Sequence, residues 1–202
     1  MEKKNKKGKS MDYLEKIKEL LEEHLTEKGY KLWNGINQII PDIWTKPVAS
    51  TLKYHKKLNG EVPDIAEHVY HMLYGTSKIM RLFNYKSKSL DGDKMLLAVA
   101  LHDAVKYGEF GTRKYCDNAH DRASADMVSS NKGTFTKLLS EEQFYVLEEA
   151  IRFHSGQWST DAKNGKEFTF KDYNPETMFV HMLDMLSSED CLKTDMDYKE
   201  EE

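Results

Sequence analysis

An apolar run that ends in an adjacent histidine and aspartate is the sequence feature that most constrains the fold. Residues 96–101 are Leu-Leu-Ala-Val-Ala-Leu, and His102 and Asp103 follow directly. An imidazole and a carboxylate at the end of a buried helix are costly to desolvate unless another group pairs with them. Either the pair reaches solvent at the helix end, or it binds a metal ion, for which a neutral His and an ionised Asp are suitable ligands. The dipeptide alone leaves both interpretations open.

Length and composition fit an ordinary globular protein. The chain has 202 residues, of which 39% are hydrophobic and 32% are charged, and its net charge of −4 gives no sign of a nucleic-acid binder. Cys116 and Cys191 are the only cysteines. Their wide separation argues against a disulfide framework and fits a reducing cytoplasm. No apolar run approaches the roughly 18 residues that span a bilayer. We therefore predict a cytoplasmic protein that does not interact with membranes.

The spacing of apolar residues predicts an all-α fold with irregular loops. Apolar residues recur three and four positions apart in most segments, which is the helical period. The first helix begins at Ser10 or Asp12 and stops at Gly29, and 157–172 contain an Asn-Gly turn that suggests a small β-hairpin or lid. The predicted helices cover residues 10–29, 30–40, 64–84, 91–103, 119–129, 140–154 and 174–186.

Charge patterns at the two ends predict flanking tails. Residues 1–10 are rich in lysine and have nothing to bury, so we expect a disordered basic tail. Residues 193–202 form an acidic tail. Residues 11–192 between them form one helical domain, and the metal-binding core covers about residues 62–188.

Five separate helices each place a metal-capable side chain at a terminus or on an apolar face. His68 lies at the flank of the apolar stripe of its helix, whereas His71 is expected to point towards solvent. His71 stays an alternative to His68, and His181 an alternative to Asp184. Each residue alone has an ordinary structural explanation, but the joint pattern favours a metal site. In chain order the candidate ligands are His68, His102, Asp103, His120, His154 and Asp184.

This pattern resembles the HD-domain metal-dependent phosphohydrolases over roughly residues 50–190. The resemblance rests on His68, on the His102-Asp103 pair in an HDxxK setting with Lys106, and on the histidines and aspartate that follow. It implies a single helical HD domain with two metal ions. By resemblance, the first ion is held by His68, His102, Asp103 and Asp184. The second is held by Asp103, His120 and His154, with Asp103 as the bridge.

The ligand chemistry favours transition metals over Ca²⁺, because imidazoles and carboxylates are present without thiolates. We expect two ions per chain, drawn from Mn, Fe, Co, Ni or Zn, with Mg an option at one site. Two ions roughly 3.5–4 Å apart lower the pKa of a bridging water and neutralise a phosphoryl group.

Asp103 and Lys106 are the predicted catalytic residues, since a cation near developing negative charge speeds the reaction. The candidate substrate-binding residues are Lys53, Tyr54, His55 and Arg113.

The favoured function is hydrolysis of a phosphate ester of a nucleotide. An alternative is a phosphodiesterase or 3′–5′ exonuclease acting on a cyclic nucleotide or short nucleic acid, with Trp44, Tyr54 and Trp158 stacking on bases. Residues 50–55 resemble a stretch of HD-type exoribonucleases, although 62–66 depart from that pattern. Di-iron oxygenation is a related outlier. A non-catalytic, metal-containing helical binding module is the alternative of another class, and homo-oligomerisation stays open.

Overall fold

A computed structural model describes residues 2–49, 61–159 and 169–189 of the chain, and it confirms the predicted all-α fold. Three short 3-10 helices and one isolated β-bridge, between Pro47 and Asp64, complete the described secondary structure. None of the described helices is both long and apolar enough to cross a membrane. Within these described ranges the eight α-helices are α1 (Glu2–His24), α2 (Glu27–Asn37), α3 (Ile65–Ile79), α4 (Leu90–Leu101), α5 (His120–Ser130), α6 (Lys132–Phe135), α7 (Glu141–Arg152) and α8 (Pro175–Ser188).

Side-chain caps decide where helices α3, α4, α7 and α8 begin. Asp64, Ser89, Ser140 and Asn174 each accept a backbone N–H from the first turn that follows. Such a cap satisfies a donor that has no partner within the helix. Ser140 and Gln143 form the predicted capping box at the start of α7. Ser89 caps α4, so this helix begins at Leu90, whereas the sequence predicted a start at Asp91 or Asp93.

Helix α4 forms the centre of the molecule and sets the position of the His-Asp pair. Every residue from Gly92 to Leu101 is buried, so the helix has no solvent-facing side over that length. Helices α1, α2, α3, α7 and α8 all contact it, and α1 packs most extensively against α3. The chain therefore delivers His102 and Asp103 from the end of a fully enclosed helix into the interior.

The corner between α1 and α2 differs from the prediction. Helix α1 ends at His24, and Gly29 lies inside α2 instead of terminating α1. Thr26 caps α2, and the Asp93 carboxylate of α4 accepts the Thr26 backbone N–H at 2.8 Å. This contact joins residues 67 positions apart, so the local pattern could not reveal it. Helix α1 also begins at Glu2, and the predicted tail and domain limits stay predictions.

The segment before α3 is tied to that helix and buries a predicted stacking residue. Trp44 is only 8% exposed and belongs to the core, so it is not available to stack on a base. Its carbonyl accepts the Ala66 N–H at 3.1 Å, and the Lys46 carbonyl accepts the Ile65 N–H at 2.9 Å. Three predicted features lie wholly or mostly outside the described residues: Lys53-Tyr54-His55, the 157–172 hairpin, and the acidic tail.

Candidate metal centre

Five elements converge on one buried cluster. His68 lies on α3, His102 and Asp103 follow α4, His120 opens α5, His154 follows α7, and Asp184 lies on α8. His68, His102, Asp103 and His154 are at most 1% exposed, which excludes the interpretation that the His-Asp pair reaches solvent. The structure thus brings together all six residues that the sequence proposes as ligands.

The two oxygens of Asp103 face two different groups of histidines. Oδ2 lies 3.5 Å from His102 Nε2 and 3.9 Å from His68 Nε2. Oδ1 lies 3.2 Å from His120 Nε2 and 3.7 Å from His154 Nε2. Together with Asp103, each pair of histidines offers three ligand atoms that lie within 4.8 Å of one another. A carboxylate in this position can give one oxygen to each of two metal ions.

The structure distinguishes between the alternatives that the sequence leaves open. Asp184 Oδ1 lies 3.2 Å from His68 Nε2, whereas His181 Nδ1 contacts the His154 carbonyl at 2.7 Å. The prediction that His71 points towards solvent is wrong, since His71 is only 4% exposed. It packs edge-on against Tyr13, with ring centroids 6.0 Å apart, because α1 covers that face of α3. His68 and Asp184 are therefore the members of the cluster.

Three histidines use the same local contact to aim Nε2 at the cluster. The Nδ1 atom of each lies 2.7–2.8 Å from the backbone carbonyl three residues earlier in the chain. A carbonyl only accepts, so Nδ1 carries the proton and Nε2 presents a lone pair to the centre. Such a neutral imidazole is the form that binds metals. The three pairs are His102 with Val99, His120 with Asp117, and His154 with Ile151.

The positions of several buried atoms in this cluster favour a bound cation. His102 Nε2 lies 3.1 Å from His68 Nε2, and Asp184 Oδ1 lies 3.2 Å from the same His68 atom, so three potential metal-ligand atoms lie close together in the interior. Asp103 Oδ1 and His154 Nε2 are buried, and neither makes a hydrogen bond within the part of the chain that the structure describes. Buried polar atoms without partners are rare and costly. The donor set therefore fits divalent transition metals.

The charges at the cluster support the ionised form of Asp103. Burial alone would raise the pKa of Asp103, but Lys106 and the neighbouring histidines hold it well below its usual range. The Lys106 ammonium donates to Asp103 Oδ2 at 2.6 Å. Burial alone would lower the pKa of Lys106, yet the carboxylates of Asp103 and Asp184 raise it. Burial also lowers the pKa of His68, which keeps that imidazole neutral.

The predicted substrate residue Arg113 lies apart from the ligands, on the loop after α4. Its guanidinium pairs with the Asp117 carboxylate, and its side chain is 57% exposed. It borders a cavity of about 460 Å³ whose wall also includes Lys46, Tyr107 and Tyr115. The sequence gives no signal for Lys46, whose ammonium lies 4.5 Å above the Tyr107 ring. The cavity is therefore both cationic and aromatic.

Sequence reasoning also misses Ser187 and Asp121. Ser187 Oγ lies 2.9 Å from His68 Nδ1 across the bundle. The position of Ser187, three residues after Asp184, places both on one face of α8, a spacing that could have identified it. Asp121 follows His120 directly and is 2% exposed. A second adjacent His-Asp pair was visible in the sequence and was a usable signal.

The family model of the HD domain matches residues 65–200, which is more than half of the chain. The chain therefore belongs to the HD-domain family, within the metal-dependent phosphohydrolase superfamily whose domains bind divalent metals. This match confirms the resemblance noted in the sequence. No curated protein and no solved structure matches the chain.

Proposed function

We propose that this protein hydrolyses a phosphate ester of a nucleotide with water activated at two divalent metal ions. The observation that carries the proposal is the position of Asp103, whose two oxygens face separate groups of histidines. Two-metal sites for phosphoryl chemistry hold their ions roughly 3.5–4 Å apart, a distance that one bridging carboxylate spans.

The proposed ligand sets follow from the distances within the cluster. The metals are drawn from Mn, Fe, Co, Ni or Zn, with Mg an option at one site, because the donors are imidazoles and carboxylates. His68, His102, Asp103 and Asp184 would hold the first ion. Asp103, His120 and His154 would hold the second.

The protein's own residues prepare this site for charge that develops on a phosphoryl group. Two bound divalent ions would supply Lewis acidity that activates water and neutralises the phosphoryl oxygens. Asp103 supplies the shared oxygens, and Lys106 holds Asp103 Oδ2 while adding a buried positive charge. His120 and Asp184 have side chains that are each 17% exposed, whereas the other ligands are enclosed. Substrate therefore approaches from the side of these two residues.

A nucleotide is the proposed substrate because cationic and aromatic residues line a cavity on the chain segment that runs from Asp103 to His120. Arg113 of this cavity pairs with Asp117, whose carbonyl accepts the His120 Nδ1–H. Trp158 is 55% exposed and follows His154 by four residues, so its ring is available to stack on a base. Lys53, Tyr54 and His55 remain proposed substrate contacts.

Metal analysis followed by a substrate screen tests the proposal. We expect two ions per chain, and we expect protein loaded with Mn²⁺ or Co²⁺ to release phosphate from mononucleotides faster than it cleaves short oligonucleotides. Preference for an oligonucleotide or a cyclic nucleotide would favour the phosphodiesterase alternative. Two bound ions without turnover of any phosphate ester would favour a binding module and contradict the proposal.

A further inference from the structure

Asp121 is a buried carboxylate beside the metal centre that the proposed mechanism does not use. It follows the ligand His120 in the first turn of α5 and is 2% exposed. Its Oδ1 accepts the Arg122 backbone N–H at 2.8 Å, and its Oδ2 accepts the Ser159 hydroxyl at 2.6 Å. Ser159 is also 2% exposed. A buried carboxylate is tolerated because such charge-assisted hydrogen bonds compensate for its lost hydration.

Ser159 terminates the turn that carries His154. After α7 ends, the chain bends through Gly156, which has a φ of +64°, and a 3-10 helix over Gly156–Trp158. The Ser159 N–H donates to the Gly156 carbonyl at 2.9 Å, so Ser159 moves with this turn. His181 of α8 holds the turn at its other end through the His154 carbonyl. The Asp121–Ser159 bond therefore attaches the turn of His154 to the first turn of α5.

That attachment joins the two elements that supply histidines to one face of Asp103. His120 Nε2 and His154 Nε2 lie 3.2 Å and 3.7 Å from Asp103 Oδ1, and their ring centroids are 5.2 Å apart. Metal–nitrogen bonds of about 2.0–2.2 Å leave little tolerance in this spacing. Residues that orient ligands typically contribute 10–100-fold to metal affinity.

We infer that Asp121 is a positioning residue which, through its hydrogen bond to Ser159, sets the spacing of His120 and His154 and so secures the second metal ion. The first group depends on other contacts. His68 is held by Ser187 of α8, and His102 by the Val99 carbonyl of α4. Loss of the Asp121–Ser159 bond therefore weakens the second ion and leaves the first unchanged. This inference rests on the proposed two-metal function.

The test is equilibrium dialysis of the metal-free protein against Co²⁺, with bound ion counted by elemental analysis and the two dissociation constants fitted separately. For Asp121→Ala we expect the second constant to rise about 10–100-fold. Ser159→Ala should give the same change, since it removes the same bond from the other side. The double variant should bind the second ion no more weakly than either single variant, because both substitutions remove the same hydrogen bond. Asp12→Ala is the control, because Asp12 is exposed on α1, a helix that supplies none of the candidate ligands.

Asp121→Asn separates a hydrogen-bonding role from a charge effect. The Asn side chain can keep both contacts, because its oxygen accepts the Arg122 N–H while its NH2 donates to the Ser159 hydroxyl oxygen, so we expect a second dissociation constant within about threefold of the wild-type value. An Asn variant as impaired as the Ala variant would overturn the inference, as would wild-type binding of both ions by Asp121→Ala or Ser159→Ala. Fewer than two ions on the wild-type protein would instead defeat the two-metal function and the inference with it.

Discussion

At the scale of single residues, the buried pair of Asp103 and Lys106 joins the stability of the protein to the chemistry of its site. Both side chains are enclosed, and the ammonium lies 2.6 Å from the carboxylate. Removing one member of a buried ion pair leaves the other charge uncompensated, which typically costs about 3–5 kcal/mol. A variant at either position therefore has to be assessed for folding as well as for activity.

Asp103→Asn should abolish binding of both ions and reduce turnover at least about 100-fold, because both groups of histidines share this carboxylate. The Asn amide oxygen can still accept from Lys106, so we expect the fold to survive. Metal content, phosphate release and circular dichroism check the three expectations. Asp12→Asn is the control at an exposed position on α1, and two bound ions in Asp103→Asn would contradict the bridging role.

Glu176 makes the free energy of unfolding depend on pH in the acidic range. Burial raises the pKa of this carboxyl, but the hydrogen bond and charge of Lys94 outweigh burial, so the pKa lies below its ordinary value. The Lys94 ammonium donates to Glu176 at 2.7 Å, with both side chains largely buried. A lowered folded-state pKa stabilises the protein above the unfolded value of about 4.3, and that contribution is lost as pH falls through the folded-state pKa.

We therefore expect Glu176→Gln to lose about 2 kcal/mol at pH 7 and to show a shallower fall in unfolding free energy below about pH 4.3. Urea denaturation at pH 7, 5 and 3.5 measures both effects. Glu22→Gln, at an exposed position on α1, is the matched control. Equal acid sensitivity in the wild type and Glu176→Gln would rule out this role of the pair.

At the scale of helices, the starts of α3, α7 and α8 were predictable, whereas the end of α1 was not. Asp64, Ser140 and Asn174 act within three residues of themselves, so the sequence contains all the information that each cap needs. The end of α1 instead depends on Asp93, which lies on α4 and contacts Thr26 across the fold. Tertiary contacts of this kind override local helical pattern.

Gly29 and Gly35 on α2 give opposite predictions for the same substitution. A Cβ at Gly29 would lie 2.5 Å from Asp93 Oδ2, whereas a Cβ at Gly35 would meet nothing within 4 Å. Gly29→Ala should therefore cost about 1–3 kcal/mol by overpacking. Gly35→Ala should stabilise α2 by about 0.5–1 kcal/mol, because alanine loses less entropy in a helix. Thermal unfolding compares the two, and a stabilised Gly29→Ala would show that the corner adapts freely.

The candidate site divides in the same way between local and distant information. His102 and His154 could be predicted as candidate ligands because each follows the end of an apolar helix pattern and has its own orienting carbonyl. The orientation of His71 could not be predicted, because it depends on the packing of α1 over α3. The partnership of Asp121 with Ser159 crosses 38 residues, which no local periodicity encodes.

At the scale of the whole molecule, the candidate metal centre joins five elements. Its ligands come from α3, the turn after α4, α5, the turn after α7, and α8. An ion that binds this folded arrangement but not the unfolded chain stabilises the protein by mass action. Each ion at 100 times its dissociation constant adds about 2.7 kcal/mol. Without ions, the core has to hold Asp103 Oδ1 and His154 Nε2 buried with no hydrogen bond from the described part of the chain.

Removal of metal should therefore lower the melting temperature by roughly 5 °C or more, given about 2–4 °C per kcal/mol for a chain of this size. Differential scanning fluorimetry with and without a chelator measures this shift, and re-addition of Mn²⁺ or Co²⁺ should reverse it. Asp103→Asn should show no response to either treatment. A wild-type melting temperature that ignores metal and chelator would contradict ion binding in the folded core.

The repeated contact of a histidine with the carbonyl three residues earlier has an evolutionary consequence. Each of these three candidate ligands is oriented by a hydrogen bond within four consecutive residues, so its direction is inherited together with that short piece of backbone. Substitutions that spare these segments and the Asp121–Ser159 contact can then change which substrate the protein accepts without redirecting the candidate ligands. In this sense the site is modular, and selection can alter its entrance and its metal chemistry separately.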